Sequence, residues 1–160
     1  MNPFSSRCCQ HNHAQGWPYY AEHLILATPD NGVAAAMYAA CKATVKVGDG
    51  NEISLHEQTN YPFEETIRFT VNTPKAVSFP FYLRIPSWTE GATIFVNGKK
   101  VAANPEAGQY ACINREWKDN DQVEIQLPMQ LSMRTWQVNK NSVSVDSVSY
   151  THLTLPTSDL

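Results

Sequence analysis

The sequence predicts a mainly β protein: an antiparallel β-sandwich over residues 32 to 146, preceded by one helix over residues 12 to 27. Three observations carry this. Apolar and polar residues alternate in several segments, the period of a strand with one buried face. These segments recur at roughly ten-residue intervals with polar turns between them, the spacing of an antiparallel sandwich. Helical spacing is confined to one stretch near the N-terminus.

Asn12 is placed to cap that helix, and Trp17, Tyr20, His23, Leu24 and Ala27 recur at its period. Pro18 falls near the first turn or forces a break there. Thr28-Pro29-Asp30-Asn31-Gly32 is a stop and turn. The alanines of Val33 to Cys41 favour helix by propensity, but the segment runs into the strand-like Ala43-Thr44-Val45-Lys46-Val47, and the reading leans to strand. Gly48-Asp49-Gly50-Asn51 makes a hairpin turn before the alternating Glu52 to Glu57. Ile67, Phe69 and Val71 form one strand face. Val77, Phe79, Phe81, Leu83 and Ile85 form another, with Pro80 marking a bulge or an edge. Ile94 and Val96 lead into Asn97-Gly98, a type I′ signature, and the chain returns through Lys100-Val101. Tyr110 to Ile113 and Val123 to Leu127 are expected to pair around the turn Lys118-Asp119-Asn120-Asp121.

A chain of 160 residues is long enough for one core. A net charge of −3 with scattered Lys and Arg argues against a nucleic-acid partner, and no apolar run is long enough for a membrane span. Of the four cysteines, Cys41 and Cys112 read as buried free thiols, with a Cys41–Cys112 disulfide as the alternative. Cys8 and Cys9 are different. They stand beside His11 and His13 in Arg7-Cys8-Cys9-Gln10-His11-Asn12-His13, and adjacent cysteines bridge each other only under severe strain. Such a cluster offers a metal-bound thiolate, the alternative being an incidental buried pair. Whatever completes the site is expected upstream of Met1. Met1 to Ser6 lack the apolar centre of a signal peptide, and a start internal to a longer protein leaves the compartment open.

The same cysteine motif, followed by Trp17-Pro18-Tyr19-Tyr20-Ala21-Glu22-His23-Leu24, Thr28 to Gly32, Leu83-Arg84-Ile85-Pro86-Ser87-Trp88, Val96-Asn97-Gly98 and Leu127-Pro128-Met129, resembles the C-terminal part of glycoside hydrolase family 127. These are the non-reducing-end β-L-arabinofuranosidases, and the likeness covers about residues 7 to 146. The resemblance implies a parent with an (α/α)6 barrel that carries the active site, followed by β-sandwich domains. Residues 1–31 would then be the remnant of that barrel, packing against its missing part, and residues 32–146 the sandwich. It implies a retaining hydrolase of plant-type glycans with a cysteine nucleophile held on zinc, and a carbohydrate substrate. By motif position Cys8 matches the nucleophile and a zinc ligand, and Cys9 a second zinc ligand. The further ligands and the acid/base glutamate belong upstream. Gln10-His11 stands where the family commonly has two prolines, and His11 and His13 are read as polar contacts near the substrate, metal ligation being the alternative. Two thiolates alone leave a tetrahedral zinc half-coordinated, so weak binding and no turnover are expected of this chain by itself.

Other candidates have plainer readings. Glu22 and His23 are adjacent on the expected helix, do not share a face, and are structural polar contacts. Trp88 and Trp117 end strands, where a sugar platform or a core plug would sit. Asp49, Asp119 and Asp121 fit turn chemistry. The rival functional class is a carbohydrate-binding or purely supporting sandwich. Residues 147–160, with Val148-Ser149-Tyr150-Thr151-His152-Leu153-Thr154-Leu155-Pro156-Thr157, resemble translated sequencing adapter and are expected to be a non-native tail with few contacts to the sandwich, the alternative being a native flexible C-terminus.

Overall fold

The computed structural model describes residues 8–101, 105–148 and 150–154. Helix α1 (Cys8–Glu22) is followed by β1 (Ile25–Ala27), β2 (Val33–Ala35), β3 (Cys41–Val47), β4 (Asn51–Thr59), β5 (Thr66–Asn72), β6 (Val77–Arg84) and β7 (Thr93–Val96). The chain continues through β8 (Lys99–Lys100), β9 (Tyr110–Trp117), β10 (Asp121–Gln126), β11 (Leu131–Trp136), β12 (Ser142–Ser147) and β13 (Tyr150–Thr154). One sheet has the order β1-β2-β6-β9, a second the order β3-β4-β5-β10-β7-β8, and a third the order β11-β12-β13.

The first two sheets form the sandwich. Period-two alternation buries Ile67, Phe69 and Val71 of β5 and Val77, Phe79, Phe81 and Leu83 of β6, while Arg68 and Arg84 stay outside. Across the interface Phe69 meets Phe81 edge-on, with ring centroids 5.3 Å apart. Trp117 closes one end of the core: it is fully buried, lies 5.7 Å from Phe79, and its indole N–H donates to the Phe79 carbonyl at 3.0 Å. Each such side chain contributes about 1.5–3 kcal/mol by leaving water. The six-stranded sheet has β3 and β8 as its edges, with Lys42 and Lys46 exposed on the first and Lys99 and Lys100 on the second.

The pairing departs from the sequence expectation in several places. The helix runs from Cys8 to Glu22 rather than from 12 to 27, so Asn12 and Pro18 lie inside it. Residues 25 to 27 are drawn off into an antiparallel pairing with Val33–Ala35, because the Thr28–Gly32 turn folds the chain back on itself. The stretch from Val33 to Cys41 is interrupted, with strands only at its two ends.

Strands β9 and β10 do not pair with each other. β9 lies against β6 in the first sheet, and β10 lies between β5 and β7 in the second. The turn between them is fixed to the end of β5: the Asn120 N–H donates to the Val71 carbonyl at 2.8 Å, and the Thr73 N–H to Asp119 Oδ1 at 3.1 Å. With Trp117 plugged into the core on one side of this turn, the chain crosses from one sheet to the other.

β2 runs parallel to β6, with Ala34 opposite Tyr82. β6 is therefore interior to its sheet, yet β2 reaches only Phe81 to Leu83, so Pro80 occupies a local edge. The Pro80 carbonyl is aimed at Gly32: a Cβ on Gly32 would lie 2.3 Å from that oxygen. Cys112 is exposed rather than buried, because its neighbours Ala111 and Ile113 take the inward face of β9. Tyr150–Thr154, from the segment expected to make few contacts, pairs antiparallel with β12 in the third sheet rather than with either sheet of the sandwich.

Candidate functional site

Cys8, Cys9, His11 and His13 all belong to α1, and their side chains lie outside the described residues. What is described is how the helix is fastened. The Tyr20 hydroxyl donates to the Tyr38 carbonyl at 2.9 Å. Leu24, just past the helix, is buried, and its carbonyl accepts the N–H groups of Ala36 at 2.9 Å and Met37 at 3.4 Å. Trp17 and Tyr19 of the helix are 62% and 65% exposed, and the Trp17 ring stands edge-on to Tyr20. His23 Nδ1 lies 2.6 Å from the Tyr19 carbonyl and 3.5 Å from the Glu22 carboxylate, local contacts at an exposed helix end.

The segment that receives α1 is held by a carboxyl group that sequence reasoning passed over. Glu57 is only 1% exposed. Its Oε1 accepts the Ala39 N–H at 3.1 Å, and its Oε2 lies 3.6 Å from Cys41 Sγ, within reach of the thiol hydrogen. Burial pushes the Glu57 carboxyl up to about 8, with Cys41 and the Ala39 N–H pulling it back. Burial, and then the neighbouring Glu57 charge, raise the Cys41 thiol to about 11. A thiol so raised is a poor nucleophile near neutral pH. Tyr38 completes the cluster: its hydroxyl donates to the Arg84 carbonyl at 2.6 Å, and its ring meets Tyr61 edge-on at 5.9 Å. Glu57 shares the parity of Ile53 and Leu55 on β4, and that signal alone marks it as facing inward.

Open grooves also line the outside of the sandwich. On the outer face of the four-stranded sheet, Thr28, Pro29, Asp30, Ala34, Tyr82 and Tyr110 line a groove of about 540 Å³. There the Tyr82 hydroxyl donates to Asp30 Oδ2 at 2.6 Å, and Thr28 bonds the other oxygen. These two hydroxyls, Thr28 first, hold Asp30 below the usual carboxylate range. On the outer face of the six-stranded sheet a groove of about 290 Å³ includes Gln58, Arg68, Phe95, Gln122, Glu124 and Gln126. Arg68 and Gln126 each reach a Glu124 oxygen at 2.9 Å.

Trp88 is half-buried and stacks on Tyr61 at 6.5 Å, while Trp117 is a core plug. Cys41 and Cys112 are both free thiols, so the alternative disulfide is not formed. Among the described residues no three His, Cys, Asp or Glu side chains converge on a common point that would hold a metal ion. Adjacent thiols at Cys8 and Cys9 supply soft donors of the kind zinc prefers, so the donor chemistry of the pair fits that metal.

Comparison with solved structures defines the class. The chain is similar to a GH127 β-L-arabinofuranosidase from Geobacillus stearothermophilus T6, with 30% identity, a TM-score of 0.81 and coverage of 90% of this chain and 23% of that one. A second solved structure, described as a glycoside hydrolase, shares 30% identity at a TM-score of 0.80, covering 92% of this chain and 25% of its own. A third, a GH127 β-arabinofuranosidase, shares 25% identity at a TM-score of 0.77, covering 90% and 25%. The fold is thus a β-sandwich of the glycoside hydrolase class. The family description "Beta-L-arabinofuranosidase, GH127 middle domain" matches residues 32–129, and the chain belongs to the GH127 family. It spans about a quarter of the length of the solved relatives. A comparison with curated proteins finds no match.

Proposed function

We propose that this chain is the sandwich-bearing part of a retaining glycoside hydrolase that removes terminal sugars from plant-type glycans, with Cys8 as its nucleophile. The observation that supports this most directly is the fastening of α1. The helix that carries Cys8 and Cys9 is hydrogen-bonded through Tyr20 to a sandwich of the GH127 family. In this reading residues 1–31 belong to a helical catalytic barrel, residues 32–146 are the sandwich that supports it, and residues 147–160 are non-native. The family match begins at residue 32, and β1 of the stretch before it pairs with β2 in the four-stranded sheet.

The Cys8 thiolate attacks the anomeric carbon, and a C–S bond forms as the glycosidic C–O bond breaks. The departing oxygen takes its proton from a carboxylic acid elsewhere in the parent protein. Water, deprotonated by the same carboxylate, then displaces the thiolate by attack opposite the C–S bond, on the face the leaving sugar vacated, so two inversions give retention. Cys8 and Cys9 would hold zinc, which when bound keeps the thiol deprotonated near neutral pH. His11 and His13 are placed to hydrogen-bond sugar hydroxyls. In this reading the proton donor and the cleft belong to the rest of the parent protein, and the chain by itself is expected to show no turnover.

The test uses an aryl β-L-arabinofuranoside with the purified chain and with the longer protein read from the frame upstream of Met1, each with and without zinc. Turnover is expected only in the longer protein. There Cys8→Ala abolishes it, and Cys9→Ser lowers the zinc content. A longer protein that binds no zinc and is indifferent to Cys8→Ala would sink the reading. Sugar affinity residing in residues 32–146 alone would favour a carbohydrate-binding module, for which the Gln58, Arg68 and Glu124 groove is the surface to examine.

A further inference from the structure

Glu57 is a buried carboxyl group for which the hydrolase reading has no task. Its place on β4 follows Ile53 and Leu55 on the inward face, where an aliphatic side chain would satisfy packing. Burying a carboxyl there costs free energy unless its oxygens are served. Both are served by one stretch of chain, the connection from β2 into β3, through the Ala39 N–H and the Cys41 thiol. The same stretch holds the end of α1. The Tyr38 carbonyl takes the Tyr20 hydroxyl, and the Ala36 and Met37 N–H groups reach the Leu24 carbonyl. Glu57 and α1 therefore both grip the 36–41 segment.

We propose that Glu57 is a positioning residue that works as a proton-operated latch: protonated, it fixes the 36–41 segment and with it the seat of α1, and on losing its proton it loosens that seat. The consequence for catalysis, a pH-dependent placement of Cys8 and Cys9, rests on the hydrolase reading. The latch itself rests on the burial of Glu57 and on its contacts with the 36–41 segment.

The ionisable groups that interact with Glu57 are Cys41 on β3, Tyr38 in the connecting segment and Tyr20 on α1. All three are acids. Among the described residues Glu57 forms no ion pair, and the cation of this cluster, Arg84, acts on Tyr38. A carboxylate at this position therefore has the Ala39 N–H and the Cys41 S–H as its support, and it raises the phenols of Tyr20 and Tyr38. The protonated acid carries no charge and suits the dry site. Ionisation creates a charge that needs water, and the 36–41 segment is what must lift to admit it. The carboxyl's rise to about 8 sets the pH at which this happens.

Trp17 reports on the seat, because its ring stands edge-on to Tyr20 at 6.3 Å. The experiment labels the chain with 5-fluorotryptophan, assigns the Trp17 fluorine resonance with Trp17→Phe, and titrates from neutral pH to about two units above it. The wild-type resonance is expected to shift with a midpoint near 8, and Glu57→Gln to stay at the low-pH position throughout. Cys41→Ala keeps the carboxyl but removes its thiol donor, and moves the midpoint to higher pH. A wild type without a transition, or a transition unchanged in Glu57→Gln, overturns the latch. If Glu57→Gln does not fold, an unmoved midpoint in Cys41→Ala overturns it equally. A Glu57-dependent transition in a chain whose longer parent shows no cysteine-dependent turnover would uphold the latch and sink the hydrolase reading.

Discussion

At the residue scale, the tightest demand falls on Gly32. A Cβ there would sit 2.3 Å from the Pro80 carbonyl oxygen, 2.6 Å from Pro80 Cγ and 2.9 Å from Thr28 Oγ1. The first of these is backbone and cannot swing aside, so Gly32→Ala must displace either the Thr28–Gly32 turn or β6. A loss of about 1–3 kcal/mol is expected, the usual cost of forcing an extra carbon into a packed site. Urea unfolding measures it, and unchanged stability would show that the turn yields freely. The sequence marks Gly32 as a turn residue but not as one abutting Pro80, because strand pairing over that separation leaves no local trace. Glu57 is the opposite case. Its inward parity was legible beside Ile53 and Leu55, but an acidic residue at a strand end reads as solvent-facing by type. The cysteine motif points to chemistry because two adjacent thiols beside two histidines serve packing poorly, and its side chains lie outside the described residues.

At the element scale, faces were legible and partners were not. Alternation in β5, β6 and β10 gives the buried side chains directly, and Asn97-Gly98 gives the β7–β8 hairpin, with φ of 50° and 75° as a type I′ turn requires. Nothing in the alternation says which sheet a strand joins, which is why β9 and β10 were expected to pair across a turn that instead passes between sheets. Asp121 governs that passage. Its Oδ2 accepts the Lys118 N–H at 3.0 Å, and its Oδ1 takes the Asn97 amide at 2.8 Å, so one carboxylate ties the crossing turn to the hairpin. Arg115 approaches at 3.4 Å. Burial acts to raise this carboxyl, but the Lys118 N–H, the Asn97 amide and Arg115 together hold it below the usual carboxylate range. Its stabilisation is therefore present above the unfolded pKa and lost as pH falls through the lower folded one. Asp121→Ala at neutral pH is expected to cost about 1–3 kcal/mol, and Asp121→Asn less, because an amide oxygen still accepts. Equal losses in the two variants, read from urea midpoints, would remove the hydrogen bonds as the cause.

At the scale of the whole molecule, stability carries the signature of Glu57. Its carboxyl rises from an ordinary 4.5 to about 8 on folding, so between those values the unfolded chain releases a proton that the folded chain keeps. Stability must fall across that interval and level off above it, by at most roughly 1.4 kcal/mol for each pH unit crossed. Urea midpoints taken at about pH 5, 6.5 and 8.5 should descend in wild type and run level in Glu57→Gln. A wild type whose midpoint rises from the first to the last would show that Glu57 is not buried as a neutral acid. The two-layer architecture was legible from strand spacing, whereas the parallel β2–β6 pair and the third sheet were not, because both depend on contacts between distant segments. The margins of the six-stranded sheet have their own consequence. Lys42, Lys46, Lys99 and Lys100 stand on its two unpaired borders, in a chain whose net charge is −3. Two molecules extending this sheet by joining like borders would bring ammonium groups of the same sign face to face, and their repulsion opposes the strand-by-strand growth through which β proteins aggregate.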